Sequence, residues 1–192
     1  MGWHRSVAGD EDFALASKAV AQMSTDPRRG LLLIGNVGVG KTYLAEMVFA
    51  GIRTSKARID CANNDSVDDL VLPCDAQANG GVYNSAADDL LDVSILIDDL
   101  GAEQFRQVYG NVLDRVGAFI VRYHARGRGR LIATTNLSLA ALEARYTSRV
   151  LDRLADKCVI VQFSGNTKRR WDVVARKSGV NAPTSPLTGV GG

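Results

Sequence analysis

Five short strand-like segments, most of them apolar, recur along the chain, and polar or helix-like sequence separates each from the next. They lie at 31–34, 57–61, 93–98, 131–135 and 158–163. The run at 31–34 is continuous rather than alternating, which is typical of a strand buried on both faces of a parallel sheet, and the segments at 93–98 and 131–135 are also interpreted as apolar, buried strands. Because helix-like sequence lies between them, the pattern predicts an α/β fold, a five-stranded parallel sheet with helices on both faces.

The connecting helices are predicted from apolar residues at helical spacing. The first covers Glu11–Met23, where Asp10 is the expected cap and Asp26-Pro27 ends the helix before the first strand. The others are predicted at Thr42–Ile52, Ala86–Leu91, Gln104–Arg126, Ser138–Tyr146, Ser148–Ala155 and Thr167–Lys177. We expect one domain over residues 1–178, with a leading helix near 10–25. The remaining 179–192, rich in Gly, Pro, Ser and Thr, is expected to be a disordered tail.

A glycine-rich turn joins the first predicted strand to the next helix and fits the phosphate-loop pattern. Glycines allow the backbone N–H groups to form an anion nest, and the helix adds its positive N-terminus. Lys41 would contact the β- and γ-phosphates of a nucleotide, and the Thr42 hydroxyl would ligate Mg²⁺. The predicted nucleotide-binding residues are Gly35, Asn36, Val37, Gly38, Val39, Gly40, Lys41 and Thr42.

Two carboxylates follow the third apolar segment, at Asp98 and Asp99. A phosphate-loop ATPase needs one acid to hold the metal and another to orient and deprotonate water. We assign the metal role to Asp98 and the base role to Asp99. The alternative is a strand that ends in a solvated Asp-Asp turn.

Asn136 follows the fourth segment, in Thr134-Thr135-Asn136. An amide at this strand tip could hydrogen-bond both the γ-phosphate and the attacking water. Alternatively it caps a helix that begins there or at Ser138.

Composition narrows the class of protein. The chain has 192 residues, enough for one ordinary domain, and its net charge of +2 is too small to indicate nucleic-acid binding by itself. Cys61, Cys74 and Cys158 have no metal-ligand spacing, so we expect reduced thiols in a cytoplasmic protein. No apolar run approaches the length of a membrane span, and acidic residues at 10–12 stand where a signal peptide would be apolar.

A basic stretch near the end of the long predicted helix contains Tyr123 together with Arg122, His124, Arg126, Arg128 and Arg130. Such a cluster could follow the phosphates of single-stranded DNA. It is equally compatible with a solvated helix end, where cations favour the dipole.

The motifs resemble, as a set and in order, those of the AAA+ family of the bacterial helicase loader DnaC and the transposition helper IstB. Beside the phosphate loop, the resemblance rests on Ile-Leu-Ile-Asp-Asp-Leu-Gly-Ala-Glu, Ala-Thr-Thr-Asn-Leu-Ser and Ser-Arg-Val-Leu-Asp-Arg-Leu. It covers about Gly30 to Trp171. It implies an ATP-hydrolysing assembly factor that forms homo-oligomers, contacts single-stranded DNA and delivers a replicative ring helicase or a transposase.

The resemblance also implies residue roles. Lys41 and Thr42 match the phosphate-binding pair, Asp98 and Asp99 the two acids, and Asn136 the first sensor. Two arginines complete the set: Arg153 matches the arginine finger, with Arg149 one turn away as the alternative, and Arg169 lies near the second sensor. Because only about 29 residues precede the first strand, the extra N-terminal domain usual in the family is not expected here.

Two other functions remain open at the level of sequence. One is a small-molecule or nucleoside kinase, although no arginine-rich lid is apparent. The other is an ATP-gated switch that does not hydrolyse its nucleotide, although its expected mark, a missing catalytic acid, is not found.

Overall fold

The computed structural model describes residues 10–63, 67, 89–108 and 111–164. In these residues one parallel sheet is formed by β1 Gly30–Ile34, β2 Lys56–Asp60, β3 Ser94–Asp98, β6 Leu131–Thr135 and β7 Cys158–Gln162. A separate antiparallel pair consists of β4 Arg106–Val108 and β5 Asn111–Leu113. The helices are α1 Asp10–Thr25, α2 Lys41–Gly51, α3 Arg115–Arg126, α4 Leu139–Tyr146 and α5 Ser148–Lys157, with a 3-10 turn at Leu90–Asp92. The α/β class and the parallel five-stranded sheet are confirmed.

The order of strands across the sheet is β2-β3-β6-β1-β7. β1 therefore pairs with β6 on one side and β7 on the other, and β6 separates β1 from β3. All neighbours are parallel, so their carboxyl ends meet at one edge. In open α/β sheets this edge is where ligands bind.

The core occupies both faces of the sheet. Every residue of β1, β3 and β6 is buried, as the continuous apolar runs predict. Leu31 and Leu33 face α1 and α2, whereas Leu32 and Ile34 pack with α3 on the other side. Each fully buried aliphatic side chain contributes roughly 1.5–3 kcal/mol to folding. The strand tips that carry polar residues are thereby held on a rigid sheet.

The predicted helix Gln104–Arg126 is wrong in its first half. The chain instead forms β4 and β5 before α3 begins at Arg115, and Val112 belongs to β5 rather than to the helix. The helical spacing of apolar residues extends upstream from α3, but Asn111 is a poor helix former and Val108 and Val112 favour strands. The Asp114 side chain, which accepts a hydrogen bond from the Gly117 N–H at 2.8 Å, fixes the true start of the helix.

Other sequence predictions fall wholly or partly outside the described residues. The predicted helix Ala86–Leu91 overlaps them only at its end, where the 3-10 turn lies. The predicted helix Thr167–Lys177, with Arg169, and the tail 179–192 lie entirely outside. Among the helices that are described, none combines the length and apolar character needed to cross a membrane.

Candidate nucleotide site

The phosphate loop leaves the carboxyl end of β1 and enters α2 at Lys41. Gly38 and Gly40 have φ of +85° and +96°, a left-handed conformation that side chains rarely adopt. Val39, between them, is buried in the core and anchors the loop. The sequence Gly-Val-Gly therefore turns the backbone tightly and delivers the chain to the N-terminus of α2, where unpaired N–H groups favour anions.

The Lys41 ammonium lies beneath this loop. Its Nζ donates hydrogen bonds to the carbonyl oxygens of Gly35 at 2.7 Å and Asn36 at 2.8 Å, and to Asn136 Oδ1 at 2.8 Å. Burial lowers the pKa of Lys41, while the negative charges of Asp99 and Asp98 oppose that shift. Two carbonyls and an amide thus hold a desolvated cation beside the phosphate loop.

Asp98, at the end of β3, is buried and accepts hydrogen bonds at both carboxylate oxygens. The hydroxyls of Thr42 and Thr134 donate to Oδ1 at 3.1 and 2.6 Å. The Arg58 guanidinium donates from Nη2 to Oδ2 at 2.6 Å. Three elements, α2, β6 and β2, therefore converge on one carboxylate.

Thr42 and Asp98 form a donor set that fits Mg²⁺. Both offer oxygen, the ligand that Mg²⁺ prefers, and they lie close enough to share a hydrogen bond. Mg²⁺ is usually held by one or two carboxylates together with substrate phosphates rather than by a protein cage. Accordingly, a cluster of three or more His, Cys, Asp or Glu ligands is not needed, and the described residues contain none.

Asp99 and Asn136 occupy neighbouring strand tips and contact each other. Asn136 Nδ2 donates to Asp99 Oδ1 at 3.1 Å, while its Oδ1 accepts from Lys41. Asp99 has φ of +52°, and its N–H donates to Thr134 Oγ1 at 2.9 Å. A left-handed non-glycine residue costs about 1–2 kcal/mol, and this hydrogen bond supports the conformation. Asn136 does not cap α4, because Ser138 Oγ accepts the Ala141 N–H at 3.2 Å.

Sequence reasoning missed Arg58, Thr134 and Glu103. Thr134 had a signal, since it is one of two hydroxyl residues that end a buried strand just before Asn136. Arg58 had none, since its partner Asp98 lies on another strand. Glu103 is buried and accepts hydrogen bonds from the Gly101 N–H at 3.0 Å and from the Tyr146 hydroxyl. It fixes the turn that follows Asp99.

The structure does not bring Arg153 into the site of its own chain. Arg153 is half-buried on α5 and has no hydrogen bond or ion pair among the described residues, and Arg149 on the same helix is exposed. Its charge helps to lower the pKa of Asp156, but mainly His124 does so through a hydrogen bond. The ring nitrogen Nε2 of His124 lies 2.5 Å from the carboxylate oxygen Oδ2 of Asp156.

The basic stretch is divided by the fold. His124, Arg126 and Arg128 line a cavity of about 540 Å³, together with Asp26, Arg28, Arg29, Ala125, Gly127, Asp156 and Lys157. Arg130 instead donates to the carbonyls of Met23 and Arg29. The cavity lies where β1, β6 and β7 begin, at the sheet edge opposite the phosphate loop.

Comparison with known families decides the identity of this arrangement. The model of the IstB-like ATP binding protein family matches residues 10–174, most of the chain. The protein belongs to this family. The match begins with α1 and includes every strand described above. No curated protein sequence matches significantly.

Solved structures similar to this IstB-like protein agree on the fold. The DnaC helicase loader is 20% identical with a TM-score of 0.57, covering 85% of this chain and 93% of its own. A putative primosome component from Streptococcus pyogenes serotype M3 is 22% identical with a TM-score of 0.53, covering 83% and 81%. AMPPCP-bound DnaA from Aquifex aeolicus is 14% identical with a TM-score of 0.57, covering 93% of this chain but 52% of its own. At these identities the likeness shows an AAA+ type phosphate-loop fold.

Proposed function

We propose that this IstB-like protein binds ATP with Mg²⁺ at the phosphate loop and hydrolyses it. The observation that carries the proposal is the hydrogen-bonded chain from Lys41 through Asn136 to Asp99. Supporting it, a lysine at the start of α2 and a carboxylate after β3 both lie within hydrogen-bond distance of an amide after β6.

Each residue has a distinct role in this proposal. Residues 35–40 wrap the phosphates with backbone N–H groups, and Lys41 contacts the terminal ones. Thr42 and Asp98 hold Mg²⁺, which supplies charge neutralisation at the phosphates when bound. Asp99 accepts a proton from the attacking water, and Asn136 orients that water and the γ-phosphate. Arg169, outside the described residues, is proposed to contact the nucleotide as the second sensor.

The test is the fate of the γ-phosphate. Purified protein is incubated with labelled ATP and Mg²⁺, with and without single-stranded DNA, and with small hydroxyl acceptors. Release as inorganic phosphate, increased by DNA or by assembly, supports the ATPase. Transfer to an acceptor would instead identify a kinase, and binding without turnover would identify a switch.

We further propose that ATP turnover drives the loading of a replicative ring helicase onto single-stranded DNA. Support comes from the likeness to the DnaC helicase loader, which extends over nearly all of that chain. The assay is helicase-dependent unwinding of DNA covered by single-strand-binding protein. We expect unwinding to require this protein and ATP, and an unchanged rate without it would reject helicase loading.

A transposition helper is the second candidate, because the matching family model is described as IstB-like. The two candidates differ in the partner. Pull-down from host lysate with a non-hydrolysable ATP analogue should recover a ring helicase under the first proposal and a transposase under the second.

The cationic cavity is our candidate for the DNA contact. Arg28 and Arg29 line it together with Arg126, Arg128 and Lys157, which come from distant parts of the chain. Neutral substitutions at Arg28 and Arg126 should weaken single-stranded DNA binding and flatten its salt dependence. The matched pair Lys18→Ser and Arg53→Ser, which changes the charge equally elsewhere, should not.

A further inference from the structure

Arg58 contacts Asp98, the carboxylate that is proposed above to hold Mg²⁺. It belongs to edge strand β2 and pairs in register with Leu96 of β3, two residues before Asp98. Residues two apart on a strand face the same side, so Arg58 and Asp98 share the face that α2 covers. From there the guanidinium reaches Asp98 Oδ2 at 2.6 Å and Glu46 Oε1 of α2 at 2.8 Å.

The two oxygens of Asp98 have different partners. Oδ1 accepts the hydroxyls of Thr42 and Thr134, which hold the carboxylate in place beside the phosphate loop. Among the described residues, Oδ2 accepts a hydrogen bond only from Arg58. Because the Arg58 side chain is 45% exposed whereas that of Asp98 is 8% exposed, the guanidinium covers the solvent side of a buried acid.

Resting on the proposed Mg²⁺·ATP site, we propose that Arg58 sets the Mg²⁺ requirement of nucleotide binding. Through its contact with Oδ2 it neutralises Asp98 and occupies the oxygen that the hydrated metal needs. When Mg²⁺ enters with ATP, Arg58 withdraws from Asp98 and keeps its second contact, with Glu46. Glu46 is therefore the anchor that holds the guanidinium after it leaves Asp98. In this proposal Arg58 is a positioning residue rather than a catalytic one.

The proposal gives opposite signs for two substitutions. Arg58→Gln removes a positive charge and a competing donor, so less Mg²⁺ should be needed. Glu46→Gln removes the anchor and a nearby negative charge, so Arg58 should bind Asp98 more tightly and more Mg²⁺ should be needed. At a charge separation of a few ångströms in a partly exposed site, each effect should be roughly three- to tenfold.

The experiment titrates Mg²⁺ against the full-length protein with a fluorescent, non-hydrolysable ATP analogue, and measures the Mg²⁺ concentration at half-maximal binding. We expect it to fall in Arg58→Gln, rise in Glu46→Gln and stay near the wild-type value in Arg58→Lys, which retains the charge. Arg53→Gln is the matched control, because Arg53 lies just beyond the far end of α2 and its loss changes the net charge equally. It should behave as wild type.

The possible failures are separable. If the wild type binds no nucleotide at any Mg²⁺ concentration, the proposed function itself fails. If the wild type binds in a Mg²⁺-dependent way but Arg58→Gln is unchanged or needs more Mg²⁺, only the role of Arg58 is overturned. Should Arg58→Gln fail to fold by circular dichroism, Glu46→Gln decides: an unchanged or lower Mg²⁺ requirement overturns the proposal.

Discussion

Lys41 and Asp99 are joined through a single side chain. Asn136 accepts from the lysine and donates to the aspartate, so its amide is committed at both ends. An aspartate at this position could not donate to Asp99, and a leucine could do neither. An amide can accept a hydrogen bond from the buried Lys41 cation and also donate one to the Asp99 carboxylate. This favours a functional role for Asn136 at the end of β6.

At the residue scale, Lys41→Ala should abolish ATP binding at ordinary concentrations. Hydrogen bonds to charged groups contribute about 1.5–3 kcal/mol each, so losing those to the terminal phosphates should weaken affinity on the order of 100-fold. Calorimetry with ATP and Mg²⁺ measures this. Lys56→Ala, at an exposed lysine of β2, is the control, and unchanged affinity in Lys41→Ala would place the nucleotide elsewhere.

Asp99→Asn separates binding from chemistry. The amide keeps the size of the carboxylate but cannot accept a proton from water, so turnover should fall roughly 10²–10⁴-fold, the usual scale for a general base. Nucleotide affinity should stay close to wild type. Steady-state ATPase and calorimetry on the same preparation distinguish the two effects. Wild-type turnover in folded Asp99→Asn would assign the base to another group.

The two described cysteines should be unreactive. Complete burial raises the pKa of Cys158 to about 12, and burial beside Glu103 raises that of Cys61 further. Since the thiolate is the nucleophile, iodoacetamide at pH 8 should leave both unlabelled in the folded protein. Peptide mass spectrometry before and after urea unfolding checks this, and rapid labelling of either thiol in the native state would contradict the burial.

At the element scale, α3 begins where Asp114 caps it, after two short strands. The carboxylate is partly buried, which raises its pKa, while the hydrogen bond from the Gly117 N–H acts against that shift. The helix packs Val116, Phe119, Ile120 and Tyr123 into the core. Its start therefore sets which side chains reach the sheet.

Asp114→Ala should lower the free energy of unfolding by about 0.5–2 kcal/mol, the usual cost of losing an N-cap. Urea denaturation monitored by circular dichroism measures the change. Asp89→Ala is a matched control, since Asp89 also precedes a helical turn but makes no capping hydrogen bond there. Equal stability of both variants would show that the cap is not what holds α3 in place.

At the scale of the whole molecule, the position of Arg153 bears on assembly. Among the described residues of its own chain this arginine makes no hydrogen bond or ion pair, and its charge acts on Asp156 rather than on the phosphate-loop residues. As the family resemblance implies, we propose that it contacts the γ-phosphate held by a neighbouring subunit, since its planar, permanently charged guanidinium can bind phosphate oxygens bidentately. Hydrolysis would then require two subunits, one holding the nucleotide and one supplying the arginine.

A mixing experiment tests this. Arg153→Ala and Lys41→Ala should each be nearly inactive alone, because arginine fingers contribute about 10³–10⁵ in rate in other phosphoryl-transfer systems. Mixed together, they should recover part of the ATPase activity, since an intact Arg153 can then meet an intact Lys41. Wild-type hydrolysis by Arg153→Ala under assembling conditions would reject the assignment. If Arg149→Ala complements instead, the finger is one turn earlier.

Local sequence predicted the elements that local physics controls. The predicted segments located all five strands of the sheet within one residue, and in β1, β3 and β6 continuous apolar runs reflect burial on both faces. The phosphate-loop pattern placed the turn between β1 and α2, because glycines at 38 and 40 are required by the backbone itself. The start of α3 was missed, because helical spacing by itself does not show where a turn and a cap interrupt it.

Tertiary structure alone decided which side chains meet. Asp98 ends β3, Thr134 lies in β6 and Asn136 follows β6. These side chains meet because β6 lies between β1 and β3, a strand order that no local sequence pattern encodes. Arg58 is an ordinary polar residue of an edge strand until the parallel register of β2 with β3 brings it to Asp98. Pairing of strands distant in sequence thus determines the charge balance of the site, because electrostatic contacts depend on separation in space rather than along the chain.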